Sequence, residues 1–153
     1  MVEQRTENPC VSSSSLLLNK ITNLMKHNFW NLLACLKNGA LAKKHTISHT
    51  RTKKNEDLLN LLWQEGFISG YRVDSTDKNK LNIFLKYNDK KEAGLNRIVA
   101  VSKPSKKVYC SYENTWKLYS QNVLVVVSTT KGIKSLNFCR KSRLGGEILL
   151  VIN

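Results

Sequence analysis

Five consecutive apolar residues, Val123-Leu-Val-Val-Val127, constrain this chain more than any other feature. Branching at Cβ stiffens valine and favours extended backbone, so the run predicts a buried strand. It ends in Ser128-Thr-Thr-Lys-Gly132, and a second apolar run follows Leu144-Gly-Gly-Glu147 and continues to Ile152. The residues that interrupt the apolar pattern are small or hydrogen-bonding. A surface that follows a nucleic-acid backbone and edges a few bases needs such residues. No carboxylate pair or histidine accompanies them, so chemistry on a substrate is the weaker reading.

The balance of charge points the same way. Lys and Arg number 25 against 11 Asp and Glu, a formal charge of +14. So much positive charge opposes compaction unless a polyanion neutralises it, and nucleic acid is the default polyanion. The apolar share of 41% suffices for a packed core. A membrane surface would call for a long basic amphipathic helix, which the chain lacks beyond residue 40. No apolar stretch approaches the roughly 18 residues of a membrane span. Leu16-Leu-Leu18 is too short for a secretory core. Cys10, Cys35, Cys110 and Cys139 are scattered without a CxxC pair, which argues against a metal or redox motif. Cys35, Cys110 and Cys139 read as small buried hydrophobes. His45 and His49 stand four apart, but the lysines beside them oppose a bound cation. Neither a metal nor a cofactor is expected, nor a small-molecule substrate. The abundance of Lys and Asn accords with an A+T-rich coding genome, as organelles have.

Patterning divides the chain into an extension and two small α+β domains in tandem. Residues 1–24 carry no sustained periodicity and read as a poorly ordered N-terminal extension, with Met25 as an alternative start. The first domain, residues 25–92, runs helix, strand, helix, hairpin. Met25, Phe29, Leu32, Leu33 and Leu36 give a helix over Leu24–Leu36, with Asn38-Gly39 as its stop. Thr46-Ile47-Ser48 is a short strand, Asn55–Glu65 a second helix ended by Gly66, and Phe67–Val73 with Leu81–Tyr87 two strands around a polar turn. Charged residues from Asn88 to Asn96 mark the boundary. The second domain, residues 96–153, is strand-rich with short helices. Ile98–Ser102 and Lys107–Ser111 form a hairpin around Lys103-Pro104-Ser105-Lys106, and Tyr112–Leu118 is a short helix or turn. Val123–Ser128 is a strand, Ser135–Arg143 a basic helix with Ser135 as N-cap, and Glu147–Ile152 the last strand.

These residues resemble the bacterial-type small ribosomal subunit protein eight family. The resemblance covers about 120 residues from Met25 onward. It rests on Leu33-Ala-Cys-Leu-Lys-Asn-Gly39, Thr52-Lys53, Glu65-Gly-Phe-Ile68, Leu81-Asn-Ile-Phe-Leu-Lys-Tyr87, Ser102-Lys-Pro104, Val108-Tyr109, Val127-Ser-Thr-Thr-Lys-Gly132 and Leu144-Gly-Gly-Glu147. It implies a non-enzymatic protein that binds the central domain of small-subunit rRNA early in assembly, beside neighbouring ribosomal proteins. The second domain would make the closer contact, with an irregular rRNA helix. Leu62-Trp-Gln-Glu-Gly66 and Trp116-Lys-Leu118 look most like mitochondrial members of plants and algae, with the plastid as second choice. Departures from the family pattern are Thr50 where Pro is usual, Ser105 where Gly follows Ser-Lys-Pro, Ser120-Gln-Asn122 for glycines, Leu136 for Asp, and Thr130 for Ser. If the turn at Ser105 needs positive φ, it must be strained or of another type.

The candidate site combines these residues. Ser128, Thr129 and Thr130 are three adjacent hydroxyls that can read a splayed base and its sugar, or simply close a turn. Lys131 adds a phosphate contact, and Gly132 lets backbones approach. Gly145 and Gly146 either do the same or make a helix-to-strand turn. Glu147 repels phosphate, so it reads as an organiser that accepts from a loop N–H or holds Arg140 or Lys141, with direct base contact second. Tyr109 faces away from Val108 and Cys110; if those face the core it is free to stack on a base, the alternative being a structural tyrosine. Lys103 joins this set. Lys43, Lys44, Arg51 and Lys53 read as phosphate contacts that carry no sequence information. The alternative is a basic RNA-binding or adaptor protein outside the ribosome. An enzyme would need Cys139, His45 or His49 to meet Glu147. The charge alone yields a prediction: with on the order of five phosphates neutralised, log K for an rRNA fragment falls against log salt with a slope of roughly −3 to −5. Filter binding across a salt series measures it, and a flat profile contradicts the polyanion reading.

Overall fold

The computed structural model describes residues 28–88, 94–118 and 123–153. The extension expected over residues 1–24, the first turn of the first helix, the middle of the charged boundary and the Ser120-Gln-Asn122 turn lie outside the described residues. The chain forms α1 (residues 28–41), β1 (Thr46–Thr50), α2 (Lys53–Gln64), β2 (Ile68–Val73) and β3 (Lys80–Leu85). A 3-10 turn at Gly94–Arg97 leads into β4 (Ile98–Ala100), β5 (Tyr109–Cys110), α3 (Tyr112–Thr115), β6 (Leu124–Thr129), β7 (Gly132–Ser135), α4 (Leu136–Lys141) and β8 (Gly146–Ile152). The class is α+β, as the patterning predicts, with a three-stranded sheet β1-β3-β2 and a five-stranded sheet β4-β8-β6-β7 in which β5 also pairs with β8.

Helix α2 binds these layers together. Leu58, Leu59, Leu61 and Leu62 are all buried, and the helix packs on both β2 and β7. A single core runs from Leu32 and Leu36 of α1, through these leucines and Leu81, Ile83 and Leu85 of β3, to Leu124, Val126, Leu150 and Ile152 of the larger sheet. The other face of that sheet meets α3 and α4 through Val125, Val127, Cys110, Leu136, Cys139 and Ile148. Strand β6 is thus covered on both faces, which is why its sequence does not alternate. Burial pushes the thiols of Cys110 and Cys139 up, so both stay protonated and pack as apolar groups. Cys35 is half-buried.

Three helix ends share one device. After α2 the Gly66 N–H donates to the Trp63 carbonyl at 3.0 Å and Phe67 N–H to that of Leu62 at 2.9 Å, with Gly66 at φ +77°. This 5→2 and 6→1 pair is the Schellman arrangement, which requires a left-handed residue. Lys43 (φ 53°) takes that place after α1, bonding to Ala40, while Lys44 bonds to Gly39. Arg143 (φ 52°) does so after α4, bonding to Arg140, while Leu144 bonds to Cys139. The expected stop at Asn38-Gly39 is therefore displaced. Gly39 lies within α1, and a Cβ there would overlap the Ile47 side chain of β1, so the glycine serves close packing.

The second half departs from expectation in three places. Ile98–Ser102 and Lys107–Ser111 do not form a hairpin with each other. Both arms run antiparallel to β8, Ile98–Ala100 opposite Ile152–Leu150 and Tyr109–Cys110 opposite Glu147–Gly146. They form one edge strand, and the residues between them bulge out. That bulge closes on itself through Lys103 and Lys106 backbone bonds of 2.8 and 3.2 Å, while the Ser102 hydroxyl accepts from Val108 N–H at 3.0 Å. Ser105 has no positive φ, so this turn carries no left-handed strain at that position. Strand β7 was not anticipated. Ser135 occupies the N-cap of α4 but its side chain makes no capping bond. Thr52 does cap α2, accepting from Asn55 N–H at 3.3 Å.

A left-handed lysine costs on the order of 1 kcal/mol relative to glycine. Lys43→Gly should therefore raise the thermal midpoint by roughly 3 °C. Calorimetry checks this, and an unchanged or lowered midpoint would show that the αL geometry at Lys43 stores no removable strain.

Candidate nucleic-acid interface

The hydroxyl cluster folds into the β6–β7 hairpin. Thr129 pairs with Gly132, leaving Thr130 and Lys131 at the tip. Neither tip residue has positive φ, whereas Gly132 sits at φ +95°, so the turn ends in a left-handed glycine. Thr129 is committed to the turn: its Oγ1 donates to the Gly132 carbonyl at 2.9 Å and accepts from Lys131 N–H at 3.2 Å. Thr130 is exposed and Ser128 half-buried, and neither hydroxyl has a partner among the described residues. The cluster thus divides into one hydroxyl that builds the hairpin and two that remain available.

A β-bulge aligns the rest. Val126 pairs with Leu150 but Val127 with Ile148, so Leu149 is the extra residue. Beyond the bulge Glu147 stands opposite Ser128 of β6 and Tyr109 of β5. Directly opposed residues of antiparallel strands share a face. Tyr109, Glu147 and Ser128 therefore form one row across three strands. Tyr109 is 67% exposed, free of the core as its alternation with buried Cys110 requires. Glu147 Oε2 lies 3.7 Å from Lys107 Nζ. Its partner is thus Lys107 and not Arg140 or Lys141. Arg140 instead donates to the Thr115 carbonyl at 2.7 Å. Lys107 escaped the sequence reading. The signal was its even spacing from Tyr109, which places both on one side of an edge strand.

The glycines before Glu147 have steric duties. A Cβ on Gly145 would lie 2.7 Å from the Cys110 carbonyl oxygen, and one on Gly146 would overlap the Ser128 carbonyl oxygen. Both permit the backbones of β5, β8 and β6 to close together. On the far side of the hairpin, Lys131, Lys134 and Phe138 face Asp57, Asn60 and Gln64 of α2 across an open cleft of about 470 Å³.

The remaining cations are dispersed. Lys103 belongs to the bulged loop with Lys106. Lys43 and Lys44 end α1, whereas Arg51 and Lys53 begin α2, and the five residues of β1 between them span about 17 Å. Contiguous in sequence, this basic cluster is split in space. Arg51 is also ion-paired to Glu56. His45 meets Tyr87 edge-on, and His49 lies near the Thr50 carbonyl at 3.3 Å, so both histidines belong to the smaller sheet and neither meets Glu147. No group of three or more His, Cys, Asp or Glu that could hold a metal occurs among the described residues. No described helix is long and apolar enough to cross a membrane.

Gly146→Ala should cost about 2–3 kcal/mol, since the neighbour that must move is backbone in a central strand. It should also lower RNA affinity without removing a charge. Denaturant unfolding and RNA titration of the same variant test both, and wild-type stability would mean the three strands can separate freely at this point.

The chain matches the family model described as Ribosomal protein S8 over residues 27–153. It is 32% identical to small ribosomal subunit protein uS8 of Buchnera aphidicola over 122 residues, covering 80% of this chain and 93% of that one. It is 33% identical over 123 residues to uS8c of Welwitschia mirabilis, covering 80% and 95%, and 29% over 124 residues to uS8 of Borrelia hermsii, covering 80% and 94%. With its α+β architecture and its hydroxyl hairpin beside Gly145-Gly146-Glu147, the chain belongs to the ribosomal protein S8 family.

Proposed function

We propose that this protein is a structural, non-enzymatic constituent of the small ribosomal subunit that binds rRNA, and that its second half supplies the specific contact. The carrying observation is the row Tyr109–Glu147–Ser128 on three adjacent strands, with the Thr130 hydroxyl and Lys131 at the neighbouring hairpin tip. An exposed ring, open hydroxyls and a fixed carboxylate suit an irregular helix with unstacked bases in the central domain of the rRNA. Glu147 holds Lys107 in place beside Tyr109. Residues 25–92 and 96–153 act as two units with different tasks. The first contributes Lys43, Lys44 and Lys53 to phosphates, and the second contributes Ser128, Thr130, Lys131, Gly132, Tyr109 and Lys103 around the row. Neighbouring ribosomal proteins complete the surroundings. The Lys- and Asn-rich composition and the Trp-containing segments support an organellar subunit, mitochondrial before plastid. Sedimentation with small subunits from purified mitochondria tests that placement, and recovery only with plastid or bacterial-type particles contradicts it.

Mutation separates the two contact modes. Lys43→Ala, Lys44→Ala and Lys53→Ala together should weaken cognate and non-cognate RNA alike and flatten the salt slope. Thr130→Val should spare the salt slope and reduce preference for the cognate helix by about 1 kcal/mol, more if its RNA partner stays buried and unpaired. Thr129→Val differs: it also removes the turn's own hydrogen bonds and lowers stability by about 1 kcal/mol. Competition binding with a scrambled helix reads the discrimination. Full discrimination in a folded Thr130→Val variant would reduce the hairpin tip to a turn.

A further inference from the structure

We propose that the α3–α4 face is a second RNA-contacting surface, separate from the hydroxyl hairpin row, with the Trp116 indole as a stacking platform for an unpaired base. The inference rests on the reading that this protein binds rRNA. Trp116 ends α3 and is 60% exposed. It is held in place all the same. The Arg140 guanidinium lies 4.8 Å from the ring centroid, and its Nη2 donates to the Thr115 and Trp116 carbonyls at 2.7 and 3.4 Å. Arg140 is itself anchored because the adjacent Cys139 and the nearby Leu136 are buried beneath α4. One side chain therefore stacks on the indole and closes the end of α3. Pre-ordering of this kind lowers the entropy lost on binding.

The face is distinct from the row described above. Cys110 joins the core beneath α3 and α4, while Tyr109, its neighbour in β5, points the other way. The sequence beside this pair is mainly cationic, Lys117 following Trp116 and Lys141 following Arg140 on α4, against Glu113 in α3. A second aromatic–cation pair, Lys134 Nζ 5.3 Å from the Phe138 ring centroid, lies where α4 borders the cleft toward α2. Flat π-faces interleaved with cations match the alternation of base and phosphate along an unpaired strand. An acidic peptide would satisfy the cations but leave the exposed indole without a planar apolar partner.

The test uses the full chain and the central-domain rRNA fragment of its own small subunit. In a Trp30→Phe, Trp63→Phe background Trp116 is the sole tryptophan. Its emission should be quenched by the rRNA with the midpoint of the binding curve. Trp116→Ala should weaken binding roughly tenfold, whereas Trp116→Phe stays within about twofold, as base–aromatic stacking requires. Circular dichroism confirms the fold, which an exposed side chain does not decide. Wild-type binding with no quenching, or with full affinity in Trp116→Ala, overturns this proposal alone. Absence of wild-type binding overturns the rRNA reading beneath it. Intact rRNA affinity with lost incorporation into subunits would mean that the face meets a protein, and the RNA assignment is then wrong.

Discussion

Everything in this structure depends on the burial of α2 between two sheets. Four leucines occupy consecutive turns of a twelve-residue helix, so the apolar face is broad enough to meet β2 on one side and β7 on the other. Burying such a side chain is worth roughly 1.5–3 kcal/mol. Helix α1 adds Leu32 and Leu36 to the same core. The ends of α2 are fixed accordingly. Thr52 caps the start, Asn55 Nδ2 donates to the Thr50 carbonyl at 3.0 Å and ties the helix to β1, and Gly66 turns the chain into β2. The relative placement of Lys53 at the start of α2 and of the hydroxyl hairpin follows from this one helix.

The hairpin site inherits its rigidity from backbone contacts rather than from side-chain bonds. The lack of a Cβ at Gly145 and Gly146 lets the backbones of β5, β8 and β6 close together. The bulge at Leu149 then places Glu147 on the face where Ser128 and Tyr109 stand. Recognition groups on fixed strands lose little freedom on binding, whereas the long lysines of the loops and helix ends lose more. This division accords with the two contact modes proposed above. Discrimination needs atoms held in register, and phosphate neutralisation needs only charge within reach.

Some of this was legible in the sequence and some was not. The valine run and Glu147–Ile152 announce themselves because a strand buried on both faces needs no polar alternation. The class follows from those runs plus two helical periodicities. Strand β7 is invisible: Gly132-Ile-Lys-Ser135 is four residues with a single buried side chain, Ile133, and pairing across the hairpin defines it. The supposed hairpin at 98–111 failed because the tight turn at Lys103–Lys106 is real, but β8 is long enough to pair with both arms. Tyr109, Ser128 and Glu147 were each identifiable, yet their alignment depends on a bulge that no local pattern encodes. The partner of Glu147 was misjudged for a related reason. Sequence proximity favoured Arg140, but α4 directs that guanidinium toward Trp116, and Lys107 arrives from the loop before β5, whose arm the expected hairpin had placed elsewhere.

The charge of the chain bears on why this fold belongs with RNA. Among the described residues the ion pairs Arg51–Glu56, Lys80–Asp77 and Lys107–Glu147 all involve well-exposed cations. Exposed pairs of that kind are screened by solvent and salt, so they orient side chains more than they stabilise the fold. Two of the three helix ends closed by a Schellman turn place Lys43 and Arg143 in the left-handed region, where glycine is cheaper. Cations there do gain from the negative end of the helix dipole, by about 0.3–1 kcal/mol, which offsets part of the conformational penalty. What remains is a net repulsion that the apolar core must overcome while the protein is free. A polyanion reverses its sign: each phosphate brought near these lysines removes repulsion and adds attraction at once. The same charges that weaken the isolated fold therefore couple its stability to the bound state, and free energy of binding becomes free energy of folding.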